Sequence, residues 1–211
     1  VQGLTEFLPI SSSAHLLFPT LIFDSNDLGL YFDISVHAGT LIAVVYYFRN
    51  EIFLMSKSLL ETNNFNEDKN LVIQLIIATI PIVIIGFIFR DLISQRIFSI
   101  NDIAISNIIF ASILLFAFLN NKGKKTLINI TILGACFIGL FQCFALIPGA
   151  SRSGAAITAG LLIGLSLKDA SKFAFLLAIP TILGALTLLI FDLNNENASF
   201  DLLNMLSLIH I

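Results

Sequence analysis

The sequence predicts an all-α, polytopic helical membrane protein built from two inverted-topology repeats, each with a re-entrant helix hairpin. Three observations lead there. Charged residues make up 12% and hydrophobic residues 57% of the 211-residue chain, with a mean hydropathy of +0.95, whereas a soluble domain carries about 25% charged residues. Several apolar runs reach the roughly 20 residues that cross a bilayer as a helix. Two apolar stretches, 1–23 and 126–165, are interrupted by clusters of Pro, Gly, Ser and ionisable side chains that an ordinary lipid-facing span does not tolerate.

The elements follow in order. Residues 1–23 contain Glu6, Pro9, Ser11, Ser12, Ser13, His15 and Pro19 and read as the first hairpin. Residues 28–48 read as a span closed by Arg49-Asn50-Glu51, residues 52–60 as a short amphipathic piece, and 61–70 as a polar loop. Spans follow at 71–89, with Pro81 and Gly86, and at 102–119, before the basic turn Asn121-Lys122-Gly123-Lys124-Lys125. The long apolar region 126–165 is broken at 148–154 by PGASRSG, the second hairpin. Residues 173–191 form a last span containing Pro180, and a polar stretch with Asp192, Glu196 and Asp201 comes next. Pro81 and Pro180 are expected to kink their helices. Residues 1–205 are expected to form a single transmembrane domain, incomplete at both ends. Residues 206–211 (LSLIHI) translate CTGTCTCTTATACACATC, which resembles the end of a transposase-based sequencing adapter, and are expected to be an artefact.

A faint internal repeat supports the two-hairpin scheme. Gly3-Leu4-Thr5-Glu6 precedes Pro9 and a serine cluster, and Gly139-Leu140-Phe141-Gln142 precedes Pro148 and a second one. Three crossings separate the hairpins, so the hairpins enter from opposite faces, the arrangement that places sites at the midplane on broken helices. On this scheme Arg49, Lys57, Lys69, Lys122, Lys124, Lys125, Lys168 and Lys172 share one face, against Arg90 and Arg96 on the other. That asymmetry follows the positive-inside rule and puts Asp24, Asp27 and the first hairpin outside. Net charge is -3 without a basic block, which excludes a nucleic-acid binder. Cys136 and Cys143 lie seven apart on one helix, roughly 10 Å, too far to bridge.

The first hairpin, QGLTEFLPISSSAH, brings Gln2 and Glu6 onto one helix face. A carboxylate in an apolar helix needs a cavity, a cation or a partner. Pro9 ends that helix, and the serines sit where a new one begins, with free N–H groups suited to an anion. Ser12 and His15 are three apart, so hydroxyl and imidazole share a face, the nucleophile-and-base arrangement of covalent catalysis. Serine runs before helices also serve simply as caps. In PGASRSG, Pro148 stops one helix, and Gly149 and Gly154 let backbone approach a ligand. Ser151 and Ser153 add hydroxyls and would cap a helix starting at Ala155. Arg152 offers a planar fork of donors suited to phosphate. A midplane arginine costs roughly 2.5–3.5 kcal/mol. Pairing with Glu6 would offset that cost, and so would a bound phosphate. His37, between Val36 and Ala38 in the middle of a span, reads as a satisfied helix–helix contact. The 20 phenylalanines read as lipid-facing bulk.

The segments QGLTEFLPISSSAH and PGASRSGAAITAGLLIGLSLKDASKFAFLLAIPTILGA, with FDISVHAGTLIAVVYYFR and ATIPIVIIGFIF between them, resemble the undecaprenyl-diphosphate phosphatase family, also called the bacitracin resistance or BacA family. The resemblance runs from Val1 to about Ile190. It implies an integral membrane hydrolase, multi-pass in the bacterial inner membrane. Such an enzyme converts undecaprenyl (polyprenyl) diphosphate to the monophosphate, recycles the carrier lipid for peptidoglycan synthesis and confers bacitracin resistance. It also implies a divalent cation, Mg or Ca. The family's [E/Q]xxxE motif falls on Gln2 and Glu6, which the resemblance implies as metal ligands. Its serine–histidine segment falls on Ser11, Ser12 and His15, and its PGxSRSGxT motif on 148–156, where Ala156 stands in place of the usual Thr. Ser12, His15, Glu6 and Arg152 are thus expected to be catalytic. Ser11, Gly149, Ser151, Arg152 and Ser153 are expected to bind phosphate. The site is expected to open on the extracytoplasmic side, and a homodimer is compatible with the chain.

Two other classes compete. A lipid-carrier flippase or transporter with a midplane phosphate site would use the same broken helices and arginine, but needs no nucleophile. The acid-phosphatase superfamily needs a KxxxxxxRP segment, which the chain lacks.

Overall fold

The computed structural model describes residues 2–16, 29–60, 66–95 and 98–196. Pro19, Asp24, Asp27, Arg96, Asp201 and the segment 206–211 lie outside the described residues. The described chain is helical and contains no strand; a single bridge, Lys125 to Leu165, is its only β-type pairing. Among the described residues ten α-helices follow in order: α1 (Gln2–Thr5), α2 (Ser12–Leu16), α3 (Gly29–Tyr47), α4 (Arg49–Leu60), α5 (Glu67–Ile88), α6 (Arg90–Ser94), α7 (Ile100–Asn120), α8 (Ile132–Gln142), α9 (Arg152–Leu162) and α10 (Leu167–Glu196). Three are long and apolar enough to cross a membrane: Glu67–Ile88, Ile100–Asn120 and Leu167–Leu188. Shorter apolar helices cover Ser35–Tyr47 and Ile132–Leu146.

Several helices start earlier than hydropathy predicts, and capping explains each case. α5 begins at Glu67 inside the expected loop, because the Asn66 side chain accepts from Lys69 N at 2.9 Å and Glu67 and Asp68 occupy the first turn. α7 begins at Ile100 behind a reciprocal box in which Ser99 caps Asp102 N and Asp102 returns to Ser99 N. α10 begins at Leu167, six residues before the apolar run, with Ser166 accepting from Asp169 N at 3.1 Å. Pro81 and Pro180 lie inside continuous helices and end neither.

Small residues set the packing. A Cβ on Gly139 would stand 2.5 Å from Ala78 O, so α8 rides directly on the backbone of α5. A Cβ on Gly160 would stand 2.9 Å from that of Ala170, which brings α9 equally close to α10. Close backbone approach of this kind drives helix association where lipid removes the hydrophobic incentive. The core gathers around α9, every residue of which from Ser153 to Leu161 is buried, with Ala78, Ile138, Phe173 and Leu177 around it. At 11 residues α9 is roughly 16 Å long, about half a bilayer core. On one side of the bundle the basic turn after α7 is stitched to the α9–α10 turn. Lys125 N donates to Gly164 O at 3.0 Å, Ser166 N donates to Lys125 O at 2.9 Å, and Asn121 Nδ2 donates to Leu165 O at 2.6 Å. Lys172 also pairs with Glu51 at 3.1 Å, joining α4 to this side.

Candidate active site

Two breaks in the helical pattern meet at one place. The first lies between α1 and α2, where residues 6–11 turn through Pro9 and reach Ser11 at φ 56°. Left-handed backbone is uncommon for a serine and is held only where its surroundings demand it. The second lies between α8 and α9. A short 3-10 turn, Cys143–Leu146, follows α8, and PGASRSG reverses the chain with Gly149 at φ 95°. Gly149 packs so close to α7 that a Cβ would fall 2.3 Å from Ile103 O. Here only glycine serves, for both conformation and space.

The restart differs from the expected helix at Ala155. α9 begins at Arg152, three residues earlier, because Ser151 is the N-cap and its Oγ accepts from Gly154 N at 3.1 Å. The Ser153 hydroxyl donates to Glu6 O at 3.2 Å or Leu8 O at 3.3 Å, tying the second break to the first, and stands 3.1 Å from Ser151 Oγ. Gly154 lies against Pro9, whose Cβ would be 3.3 Å from an added Cβ.

Glu6 is the centre of the assembly. Its side chain is 4% exposed, and four groups converge on it. Arg152 Nη2 bonds Oε1. On Oε2 meet Ser12 Oγ at 2.7 Å, Gln2 Nε2 at 3.0 Å and His37 Nε2 at 3.2 Å. An ionised carboxylate is acceptor-only, so these are three donors on one oxygen and a guanidinium on the other. The ion pair that the sequence admits between Glu6 and Arg152 is therefore present. Arg152 is 16% exposed, and among the described residues Glu6 is its only hydrogen-bond partner, which leaves Nε and Nη1 without a protein acceptor.

The other expected residues are placed as follows. His15 has Nδ1 2.9 Å from Ser11 O, while Ser12 Oγ bonds Glu6 rather than the imidazole. Ser11 is buried beside them. Gln2 Oε1 is buried and among the described residues has no hydrogen-bond partner. Ala156 is buried in α9, and Thr158 Oγ1 turns back to Gly154 O at 2.7 Å. Among the described residues no three His, Cys, Asp or Glu side chains form a metal-binding group. His37, read from sequence as a satisfied helix–helix contact, makes that contact from α3 with the central carboxylate. Its signal was available, since a histidine in an apolar span calls for a polar partner by the same logic applied to Glu6.

Comparison with known proteins bears on the chain as a whole. Residues 1–209 match the family model for bacitracin resistance protein BacA. The chain is 44% identical over 204 residues to an undecaprenyl-diphosphatase of Alcanivorax borkumensis, covering 95% of this chain and 77% of that protein. It is 44% identical over 205 residues to an undecaprenyl-diphosphatase of Alteromonas mediterranea, with the same coverage. Undecaprenyl-diphosphatase 1 of Pseudoalteromonas translucida is 44% identical over 185 residues, 86% of this chain and 70% of that protein.

Proposed function

The chain belongs to the bacitracin resistance protein BacA family, and from that membership together with the site we propose that it is an integral-membrane undecaprenyl-diphosphatase. It cleaves the phosphoric anhydride of a polyprenyl diphosphate, releasing inorganic phosphate and the monophosphate carrier lipid. That activity recycles the carrier for cell-wall synthesis and gives bacitracin resistance. One observation carries the reading: a nearly buried arginine, anchored by a carboxylate, whose remaining donors have no acceptor among the described residues and which opens a helix N-terminus beside a serine hydroxyl. Guanidinium donors and a helix N-terminus are both phosphate ligands.

The residues divide the work. Phosphoryl transfer proceeds through a loose transition state, so catalysis is mainly positioning and charge stabilisation. Arg152 holds the diphosphate with Nε and Nη1, and the α9 N-terminus adds its dipole. Ser151 and Ser153 set the loop that aims both. Ser12 Oγ attacks the terminal phosphorus, the Oγ–P bond forms and the bridging P–O bond breaks. Glu6 Oε2 takes the hydroxyl proton along the existing 2.7 Å hydrogen bond. As the substrate engages Arg152, Glu6 loses part of its partner's charge and becomes a better base. His15, with Nδ1 toward Ser11 O, supplies Nε2 as the acceptor that prepares water for hydrolysis of the phosphoserine. A divalent cation would take Gln2 Oε1, a hard oxygen without a partner among the described residues, and would reach Glu6 only by displacing one of the four donors now on it. With so few protein oxygens it would keep waters and substrate phosphates, as Mg²⁺ does. When bound it offsets negative charge on the phosphates.

The inverted-repeat reading has its own support. α9 is buried and half a bilayer long, and Gln142 ends α8 where Glu6 follows α1. The stitched basic turns and the α4 end form one positive side, which the positive-inside rule makes cytoplasmic. Two re-entrant hairpins then meet from opposite faces in the inner membrane, and the site opens extracytoplasmically.

The test measures phosphate release from a polyprenyl diphosphate in detergent. Release that disappears in Arg152→Ala and falls with EDTA supports the clamp and the cation. Near-normal turnover by Ser12→Ala would overturn the phosphoserine step. No release from folded wild-type protein would favour the transporter.

A further inference from the structure

We infer that His37 is a positioning residue for the reaction, holding Glu6 in the one rotation that presents Oε2 to Ser12. The inference rests on the proposed role of Glu6 as partner of Ser12. Glu6 has two kinds of donor. Gln2 and Ser12 sit within six residues of it, on the four- and five-residue helices α1 and α2. They belong to the same broken segment and move with it. Arg152 and His37 come from elsewhere, Arg152 from the start of buried α9 and His37 from within the 19-residue α3. These two external donors bind opposite oxygens, Oε1 and Oε2.

A carboxylate held at one oxygen still rotates about its Cγ–Cδ bond. Held at both from separate helices, it does not. Arg152 fixes only Oε1, through Nη2, while its Nε and Nη1 take the substrate phosphates, so Oε2 needs a second external holder. At the moment of reaction His37 is then the fixed external contact, supplied by a long helix rather than a short turn, which is where precise sites are best anchored. Since a carboxylate only accepts, Nε2 carries the proton in this contact. One turn further on, Thr40 is buried, and its Oγ1 donates to His37 O at 2.8 Å. α3 thus closes the site from a third direction.

The experiment compares His37→Leu and His37→Gln with wild type, in turnover and in thermal unfolding. A glutamine amide N lies close to where Nε2 stands, so it preserves the donor. His37→Leu is expected to lower kcat roughly ten- to hundredfold, the loss of one hydrogen bond to a charged group. KM stays within about threefold, because the diphosphate clamp on α9 is untouched. His37→Gln is expected to restore kcat to within about fivefold of wild type. Equal loss in both variants, or kcat in His37→Leu near wild type, overturns the inference. A thermal double-mutant cycle of His37→Leu with Glu6→Gln reads the contact without turnover. Non-additive shifts support the inference and additive shifts overturn it. An inactive wild type therefore refutes the phosphatase reading, while the cycle still decides whether His37 holds Glu6.

Discussion

Replacing Glu6 by glutamine removes one charge and one acceptor while keeping the shape. The carboxylate accepts from Arg152 on Oε1 and from Ser12, Gln2 and His37 on Oε2. An amide offers one oxygen and one NH₂. If the oxygen faces Arg152, the NH₂ confronts the other three. Ser12 and Gln2 can turn to accept, but Ser12 then no longer points its proton at a base. If the oxygen faces Ser12, the NH₂ confronts Arg152, which has no acceptor to offer. Both orientations lose a hydrogen bond to a charge, worth about 1.5–3 kcal/mol each, and turnover loses the Ser12 and Arg152 terms together, about 3–6 kcal/mol. That corresponds to roughly a 10²- to 10⁴-fold fall in kcat/KM. Stability falls too, since removing one partner of a buried pair costs about 3–5 kcal/mol. Exposures of 4% and 16% leave little water to screen the stranded charge. For a chain of this size the melting temperature drops on the order of 10 °C. The double variant Glu6→Gln/Arg152→Gln recovers stability but not activity. Phosphate release and thermal unfolding in detergent measure both. A Glu6→Gln protein within tenfold of wild type and with an unchanged melting temperature would refute the reasoning.

Gly149→Ala places a Cβ 2.3 Å from Ile103 O at φ 95°, so both activity and melting temperature should fall. Gly3→Ala, with nothing within 4 Å of the added Cβ, should leave melting unchanged; equal behaviour of the two would remove the packing argument. Gln142 is fully buried, and among the described residues both its amide atoms are unpartnered. Gln142→Met should therefore raise stability by about 1–3 kcal/mol with turnover preserved, measured as a higher melting temperature; a loss would show that the amide holds something.

The meeting of the two motifs was legible because burial forces it. A lone carboxylate and a lone guanidinium, each in an apolar segment, have few partners besides each other. Hydropathy also located the spans at 71–89 and 102–119 to within a few residues. It missed the helix starts at Glu67 and Leu167, because the first turn of a helix is polar whenever a cap satisfies it, and Asn66 and Ser166 look like loop residues until their side-chain bonds are seen. The start of α9 at Arg152 was hidden in the same way, since Ser151 and Ser153 are equally plausible caps by type and only geometry chooses Ser151. The partner of His37 and the Ser12–Glu6 bond escaped for another reason. Periodicity tells which face of a helix is apolar, but not which single residue looks across at a carboxylate on a different element.

Those hidden contacts explain why the site sits on fragments of helix. A continuous span uses its N–H and C=O groups internally and presents only side chains. Breaking the chain after Gln142 and restarting it at Arg152 frees a helix N-terminus in the bundle interior, and phosphate is the chemistry such an end favours. A second break between α1 and α2 lets a carboxylate and a serine six residues apart face each other at 2.7 Å. In a regular helix a separation of six residues turns side chains about 120° apart and sets them about 9 Å apart along the axis. Small residues make both breaks tolerable: Gly149 accepts the turn and the contact with α7, and Gly154 accepts Pro9. The motif PGASRSG is therefore a packing solution and a charge site at once. Any substitution that eases its packing, by letting the loop relax away from Ile103, should also draw Arg152 away from Glu6.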